Sequence, residues 1–337
     1  MIMIKLEGKI QELKLHQQSE IKMLIDRFIE HNKLNPLHIN HAIKCPHCHS
    51  RKYVKNGVTS GRQRFKCKSC DKTYSQATLT SVHKMQKVGQ WTDFIYLMFS
   101  SKNPLTLKEL AEKLSLSTKT VHVWKHKLLS SLNKMDSINL SGVVEMDEVF
   151  LPFNVKGRKG KEKKEDVLSL EKHCIEKKKN SMFLCVHNRN NDFDFFPIKI
   201  QQKGQVKSTD IGKVVDTLNI HNGTTVITDK SKGSTKYFKT REDINHEVFK
   251  SDGKKTKLLH NNNINSTMSL YKSWSKDFNG YSTKYVWNYL KWFRYMRKFI
   301  QMSKVELLVQ TSVKDKESMN RYKEIPFYYQ EFLKTAA

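Results

Sequence analysis

Hydrophobic positions recur at helical spacing over residues 5–33, where Ile10, Leu13, Leu15, Ile21, Leu24, Ile25, Phe28 and Ile29 predict an amphipathic packing or oligomerisation helix. It belongs to an N-terminal helical segment, 1–40. The pattern then shortens. YVKNGVTSGRQRFKC alternates like a hairpin, with Asn56-Gly57 and Ser60-Gly61 as turn signals, inside a small β unit at 41–76. A helical run over 81–100 stops before Asn103-Pro104.

Next comes LTLKELAEKLSLSTKTVHVWKHKLLSSL. Thr106 and Glu109 form a capping-box pair opening a short helix, and Ser115-Leu116-Ser117 reads as a turn. Ser117 caps a second helix from Thr118 to about Leu129. Leu107, Leu110, Ala111, Leu114, Leu116, Val121, Trp124 and Leu128 have the apolar spacing of a helix-turn-helix, in a domain at 80–135. From Gly142 the texture changes again. VVEMDEVF, SMFLCVHN, DFFPIKI and TTVITD are β-type runs, with a helical pattern (STDIGKVVDTLNI) before the last. Three strands, a helix, a strand and closing helices predict a mixed α/β domain over 140–302, followed by a tail at 303–337. Its insertion at 155–180 holds ten basic and five acidic residues and reads as a mobile loop able to touch polyanions.

Charge narrows the partner. Among 337 residues, 61 Lys and Arg against 33 acids leave a net charge of +28, which favours nucleic acid through counterion release. No apolar run is long enough to span a bilayer, and MIMIKLEGKIQELK lacks a signal peptide's apolar segment, so a cytoplasmic, nucleoid-associated protein is expected. Four of the six cysteines form two tight pairs, Cys45-x2-Cys48 and Cys67-x2-Cys70, eighteen residues apart. That spacing offers four thiolates in a tetrahedron, the preference of structural Zn²⁺, and predicts a zinc ribbon. His47 and His49 could substitute, but four sulfurs close the site. Cys174 and Cys185 stand alone and read as reduced thiols.

Within the ribbon, Lys44, Arg51, Lys52, Lys55, Arg62, Arg64, Lys66, Lys68 and Lys72 face one acid, Asp71. Its Tyr53, Phe65 and Tyr74 fit a minimal core better than base stacking. Arg51, Lys52, Arg62 and Arg64, with Lys119, Thr120 and Lys125 on the second helix of the helix-turn-helix, are the expected contacts to double-stranded DNA.

The second constellation is acidic. Asp147, flanked by Glu145 and Glu148, ends one β-type run, and Asp229 ends another. Either alone is an ordinary turn or cap residue. Together they fit Mg²⁺ or Mn²⁺, which take oxygen ligands, and two-metal phosphoryl transfer.

Here VVEMDEVFLPFNVKGRKG and VITDKSKG resemble the two catalytic strands of bacterial zinc-ribbon insertion-sequence transposases of the DDE superfamily. LHNNNINSTMSLYKSWSKDFNGYSTKYVWNYLKWFRYM is similar to their closing segment. The resemblance spans about residues 42–300 and is most specific in that last stretch. It implies an RNase H-like catalytic domain after the two DNA-binding modules. Its catalytic and metal-binding set, Asp147, Asp229 and Asn265, has asparagine in place of the usual glutamate. An amide oxygen can ligate a metal but brings no charge and no base. Asn263 is the alternative third ligand, with His260 in an assisting role. The aromatic run Tyr281, Tyr285, Trp287, Tyr289, Trp292, Phe293 and Tyr295 reads as core packing, and Lys284, Lys291, Arg294, Arg297 and Lys298 as candidates to line a DNA path.

The implied activity is cleavage and strand transfer at terminal inverted repeats, by at least a dimer. Two rivals share the sequence features: a zinc-ribbon, helix-turn-helix regulator derived from a transposase, and a metal-dependent nuclease that cuts without joining.

Overall fold

The structure, a computed structural model, describes residues 44–59, 62–75, 77–78, 85, 87, 89–100, 103–132, 138–156, 165–202, 204, 206–249, 260–278, 280–298 and 327–335. The helix expected over 5–33 lies outside the described residues. Of the described residues, those within 44–98 and 106–121 form one compact unit, and those within 99–105, 122–298 and 327–335 form another.

The first unit opens with an antiparallel sheet of β1 (Tyr53–Thr59), β2 (Arg62–Cys67) and β3 (Thr73–Tyr74), in that order. Tyr53, Phe65 and Tyr74 pack with Cys45, Cys67 and Cys70 in one small core cluster. Ring centroids stand 5.3 Å apart for Tyr53 and Phe65 and 5.7 Å for Phe65 and Tyr74. One expectation is corrected here. The β1–β2 register shifts between Lys55 and Val58, and Gly57 has φ +70, so Asn56-Gly57 is a bulge within β1 rather than a turn.

Helix α1 (Gly89–Ser100) starts later than the run at 81–100 suggests. The helix-turn-helix pattern resolves into α2 (Leu107–Leu114) and α3 (Thr118–Leu132). The capping box is present: Glu109 N donates to Thr106 Oγ1 at 3.2 Å, and Thr106 N to Glu109 Oε2 at 2.7 Å. Ser115 adopts a left-handed conformation that ends α2, and Ser117 Oγ accepts from Thr120 N at 3.1 Å to start α3.

The second unit is built on a five-stranded sheet. β4 (Val143–Pro152), β5 (Asn180–Asn188) and β6 (Phe193–Gln201) form an antiparallel meander. β7 (Thr225–Thr228) and β8 (Asn245–Val248) continue the other edge in parallel, giving the order β6-β5-β4-β7-β8. Alternation along β4 and β5 divides their side chains between two faces. Val144, Met146, Met182, Leu184 and Val186 pack with α5 (Ser208–Val215) and α6 (Lys232–Phe238). Val149, Phe183 and Cys185 pack with α4 (Glu165–Glu176), α7 (Asn262–Lys276), α8 (Val286–Lys298) and α9 (Phe327–Lys334). Glu145 and Asp147 share the parity of this second set.

Two segments differ from their sequence reading. The insertion at 155–180 is not a loop throughout, because α4 occupies its second half. Cys174 is buried in the core, and the wholly buried Glu171 accepts from Tyr329 Oη at 2.9 Å. The tail at 303–337 ends in α9, whose Tyr329, Phe332 and Leu333 enter the same core.

Candidate functional site

In the ribbon, the four cysteine sulfurs converge. Cys45 Sγ lies 3.7 Å from Cys70 Sγ, and Cys48 Sγ lies 3.5 Å from Cys67 Sγ. A regular tetrahedron with Zn–S bonds of about 2.3 Å has edges of about 3.8 Å, close to both of these distances, so the cluster fits zinc. Burial raises the Cys67 thiol, but the backbone N–H groups of Ser69 and Cys70, together with the Cys48 and Cys70 thiols, bring the group down to about 6. A thiolate there is the form a metal binds.

The acidic centre arises from strand register. β4 pairs with β7 in parallel at Val143↔Thr225, Val144↔Val226 and Glu145↔Ile227. Continued two residues along both strands, that register sets Asp147 beside Asp229. Glu148 completes the cluster: one carboxylate oxygen from each of Asp147, Glu148 and Asp229 lies within 4.8 Å of the others. Local bonds orient them. Glu148 N donates to Asp147 Oδ1 at 2.8 Å, Ser231 N to Asp229 Oδ1 at 3.0 Å, and Ser234 Oγ to Glu148 Oε1 at 3.2 Å. Burial, then the charges of Asp229 and Glu148, push the Asp147 carboxyl up to about 7. Glu148 is raised by burial and by Asp229. Three half-buried acids in mutual repulsion form a hard oxygen donor set, the chemistry that suits Mg²⁺ or Mn²⁺.

Asn265 lies in the first turns of α7, exposed, and its Nδ2 donates to Asn261 Oδ1 at 3.1 Å. Asn263 instead faces Glu145, donating through N at 3.1 Å to Oε2 and through Nδ2 at 2.8 Å to Oε1. His260 Nε2 meets Arg189 Nη1 at 2.9 Å. The sequence reading noted Glu145 and Glu148 only as flanking acids and missed Arg189. The closely spaced acids of VEMDE are the signal, since Glu145 and Asp147 fall on one face of β4.

The expected DNA contacts divide. Arg51, Lys52 and Lys119 are exposed, and Arg64 donates to Thr73 Oγ1 at 3.2 Å. The side chain of Arg62 is outside the described set. Thr120 is partly occupied with capping, its Oγ1 2.9 Å from Ser117 Oγ. Lys125 is corrected: it is 7% exposed, its Nζ 4.7–5.0 Å from the ring centroids of Phe278, Tyr289 and Trp292. An ammonium under three rings is a cation–π contact within its own unit and is not presented to a phosphate. Two further candidates for a DNA path are likewise internal. Lys291 Nζ donates to both Asp194 carboxylate oxygens at 2.7 Å, and the fully buried Arg294 pairs with Asp192 and Asp194. Arg297 is exposed.

In this α/β unit two acids from the middle of β4 and one just past the end of the parallel strand β7 form a donor set that could hold a divalent metal. Residues 139–298 match the family described as ISXO2-like transposase domain. Over that stretch the chain is similar to the transposase domains of insertion sequences, the family its motifs resemble. It is also similar to an uncharacterised protein in transposable element ISH50 of Halobacterium salinarum, 26% identical over 139 residues, which are 41% of this chain and 46% of that relative. The chain thus spans about half the length of that curated relative. Among solved structures, a crystal structure of a pre-cleavage Mos1 transpososome is 12% identical over 67% of this chain and 78% of its own, with a TM-score of 0.20. A Mos1 transposase paired-end complex with left transposon end is also 12% identical, over 66% and 79%, with a TM-score of 0.17. No described helix is long and apolar enough to cross a membrane.

Proposed function

We propose that this chain is a DNA transposase whose second unit is RNase H-like and which cuts and joins DNA at Asp147 and Asp229. The observation that carries the reading is the β4–β7 register that brings these two aspartates together inside a transposase-family domain. Asp147, Asp229 and Glu148 hold Mg²⁺ or Mn²⁺, and the amide oxygen of Asn265 is the further neutral ligand. When bound, the metal ions stabilise charge on the entering and departing oxygens of a phosphodiester. The chain's part is to fix these carboxylates in one place. Water first forms a bond to phosphorus as the P–O3′ bond breaks, and the 3′-oxygen leaves as a hydroxyl. That hydroxyl then attacks a phosphorus of target DNA, displacing its 3′-oxygen in turn. No covalent enzyme intermediate is required.

The zinc ribbon and the α2–α3 pair recognise the terminal inverted repeats of the element. Arg51, Lys52, Arg62 and Arg64 supply phosphate contacts from the ribbon, with Lys119 and Thr120 at the start of α3. Pairing and joining two ends calls for at least a dimer on DNA, in the cytoplasm at the nucleoid.

A regulator without catalysis is favoured by one observation: Asn265 brings no charge. Glu148 counters it, because a third carboxylate already stands in the cluster. The deciding experiment incubates purified protein with Mg²⁺ and DNA carrying the element ends. Strand-transfer products that vanish in Asp147→Ala support the transposase. Cleavage without joining selects a nuclease, and binding alone selects the regulator.

A further inference from the structure

Glu145 is a carboxylate with no exposure, sitting on β4 two residues before Asp147. A charge so removed from water is tolerated only when its oxygens are well supplied with donors. They are. Oε2 accepts from Asn263 N at 3.1 Å and Ile264 N at 3.2 Å, the unpaired N–H groups at the start of α7. Oε1 accepts from Asn263 Nδ2 at 2.8 Å, and Arg189 Nη2 pairs with it at 3.2 Å. Negative charge at a helix start is also favoured by the helix dipole.

A helix start is ordinarily satisfied by its own N-cap side chain, as Ser231 does for α6. Helix α7 has an asparagine of the right type at that place, Asn261, yet it makes no cap bond. Its Oδ1 accepts from Asn265 Nδ2 instead. Capping has passed from the local residue to the central strand, and the local residue holds the amide of Asn265 by its nitrogen. The amide oxygen, the atom of that side chain able to ligate a metal, is then the one turned away from Asn261.

We propose that Glu145 is a positioning residue: it locks the first turn of α7 to the strand bearing Asp147, while Asn261 orients the Asn265 amide within that turn. This rests on the reading of Asp147, Asp229 and Asn265 as the reacting site. Glu145 touches neither DNA nor the reacting atoms; it acts through the helix it anchors.

The test uses the full chain and Glu145→Gln, which keeps the volume and removes the charge. Hydrogen exchange of the peptide spanning Asn261–Ile264 is compared with exchange in β5, alongside end-DNA affinity and the single-turnover cleavage rate at saturating protein. Expected are faster exchange confined to the start of α7, unchanged DNA affinity, and a rate about 10- to 100-fold lower, the usual cost of losing such a partner. Exchange and rate equal to wild type would overturn the proposal, as would acceleration spread evenly through β5, which marks mere destabilisation. If Glu145→Gln does not fold, Asn263→Ala removes one donor from the clamp and is held to the same outcomes. A wild-type chain that binds ends but cuts nothing ends the reading of the site, and this inference with it. Wild-type cutting with an unaffected Glu145→Gln ends this inference alone.

Discussion

At the scale of single residues, the acidic centre trades stability for chemistry. Asp147 titrates near 7 in the folded chain against an ordinary value of 3.8. Between those values the folded state holds a proton that the unfolded state has lost, so stability falls as pH rises through that window. A tenfold change in proton affinity between the two states corresponds to about 1.4 kcal/mol. Asp147→Asn should therefore abolish cleavage and yet melt several degrees above wild type at pH 8 in magnesium-free buffer. The gap should close as pH falls toward 4, and thermal melts across pH check both signs. Lys125 is likewise a buried charge whose ionised form burial disfavours, but it fills a ring cage that alanine would empty. Burial brings its ammonium down to about 8, and three rings surround it. Lys125→Ala should destabilise the chain by about 2 kcal/mol or more, measured by denaturant unfolding. From sequence, Lys125 resembles any groove-facing cation. Its rings come from residues 278–292, a separation that helical spacing does not report.

At the scale of elements, what was legible depended on whether partners were close in sequence. The Cys-x2-Cys pairs, the capping box of α2 and the β runs carrying Asp147 and leading to Asp229 are local patterns with counterparts in the structure, although β4 does not end at Asp147 but runs on to Pro152. Glu145 was missed as an anchor because its partners at 260–264 are more than a hundred residues away, and nothing near it marks the pairing. Helix α4 was hidden by the charge around it, although Val167, Leu170 and Cys174 share one helical face. Likewise Tyr329, Phe332 and Leu333 have helical spacing inside a segment read as tail. Helix α6 carries a constraint that sequence showed only as a glycine in VITDKSKG. A Cβ on Gly233 would lie 2.1 Å from the Val206 carbonyl oxygen, a backbone atom that cannot move aside cheaply. Gly233→Ala should push α6 away from the Val206 backbone and disturb the bonds of Ser231 and Ser234 to Asp229 and Glu148. Expected are a lower melting temperature and loss of cleavage, with ribbon zinc content unchanged by elemental analysis.

At the scale of the whole molecule, the ribbon and the five-stranded sheet each have their own apolar clusters. The ribbon's cluster contains only its own aromatics and cysteines, while both faces of the five-stranded sheet are filled by residues from 138 onward. A ribbon with so small an apolar cluster would depend for its fold on a metal held by the four sulfurs, whereas the sheet has apolar clusters on both faces. Binding and chemistry should therefore fail separately. Cys67→Ser should release zinc and abolish end binding, yet leave the circular dichroism and melting of the α/β unit close to wild type. The salt dependence of binding locates the cations involved, since each phosphate neutralised contributes about 0.9 to the slope of log affinity against log salt on duplex DNA. Arg51→Ala and Lys52→Ala should each lower that slope by about one, because both side chains are exposed on the ribbon. Lys125→Ala should leave it unchanged, because its charge faces aromatic rings. A drop in slope for Lys125→Ala equal to that of the ribbon cations would place its ammonium on DNA and refute the cage as its role. The comparison needs no cleavage and holds whether or not this copy transposes.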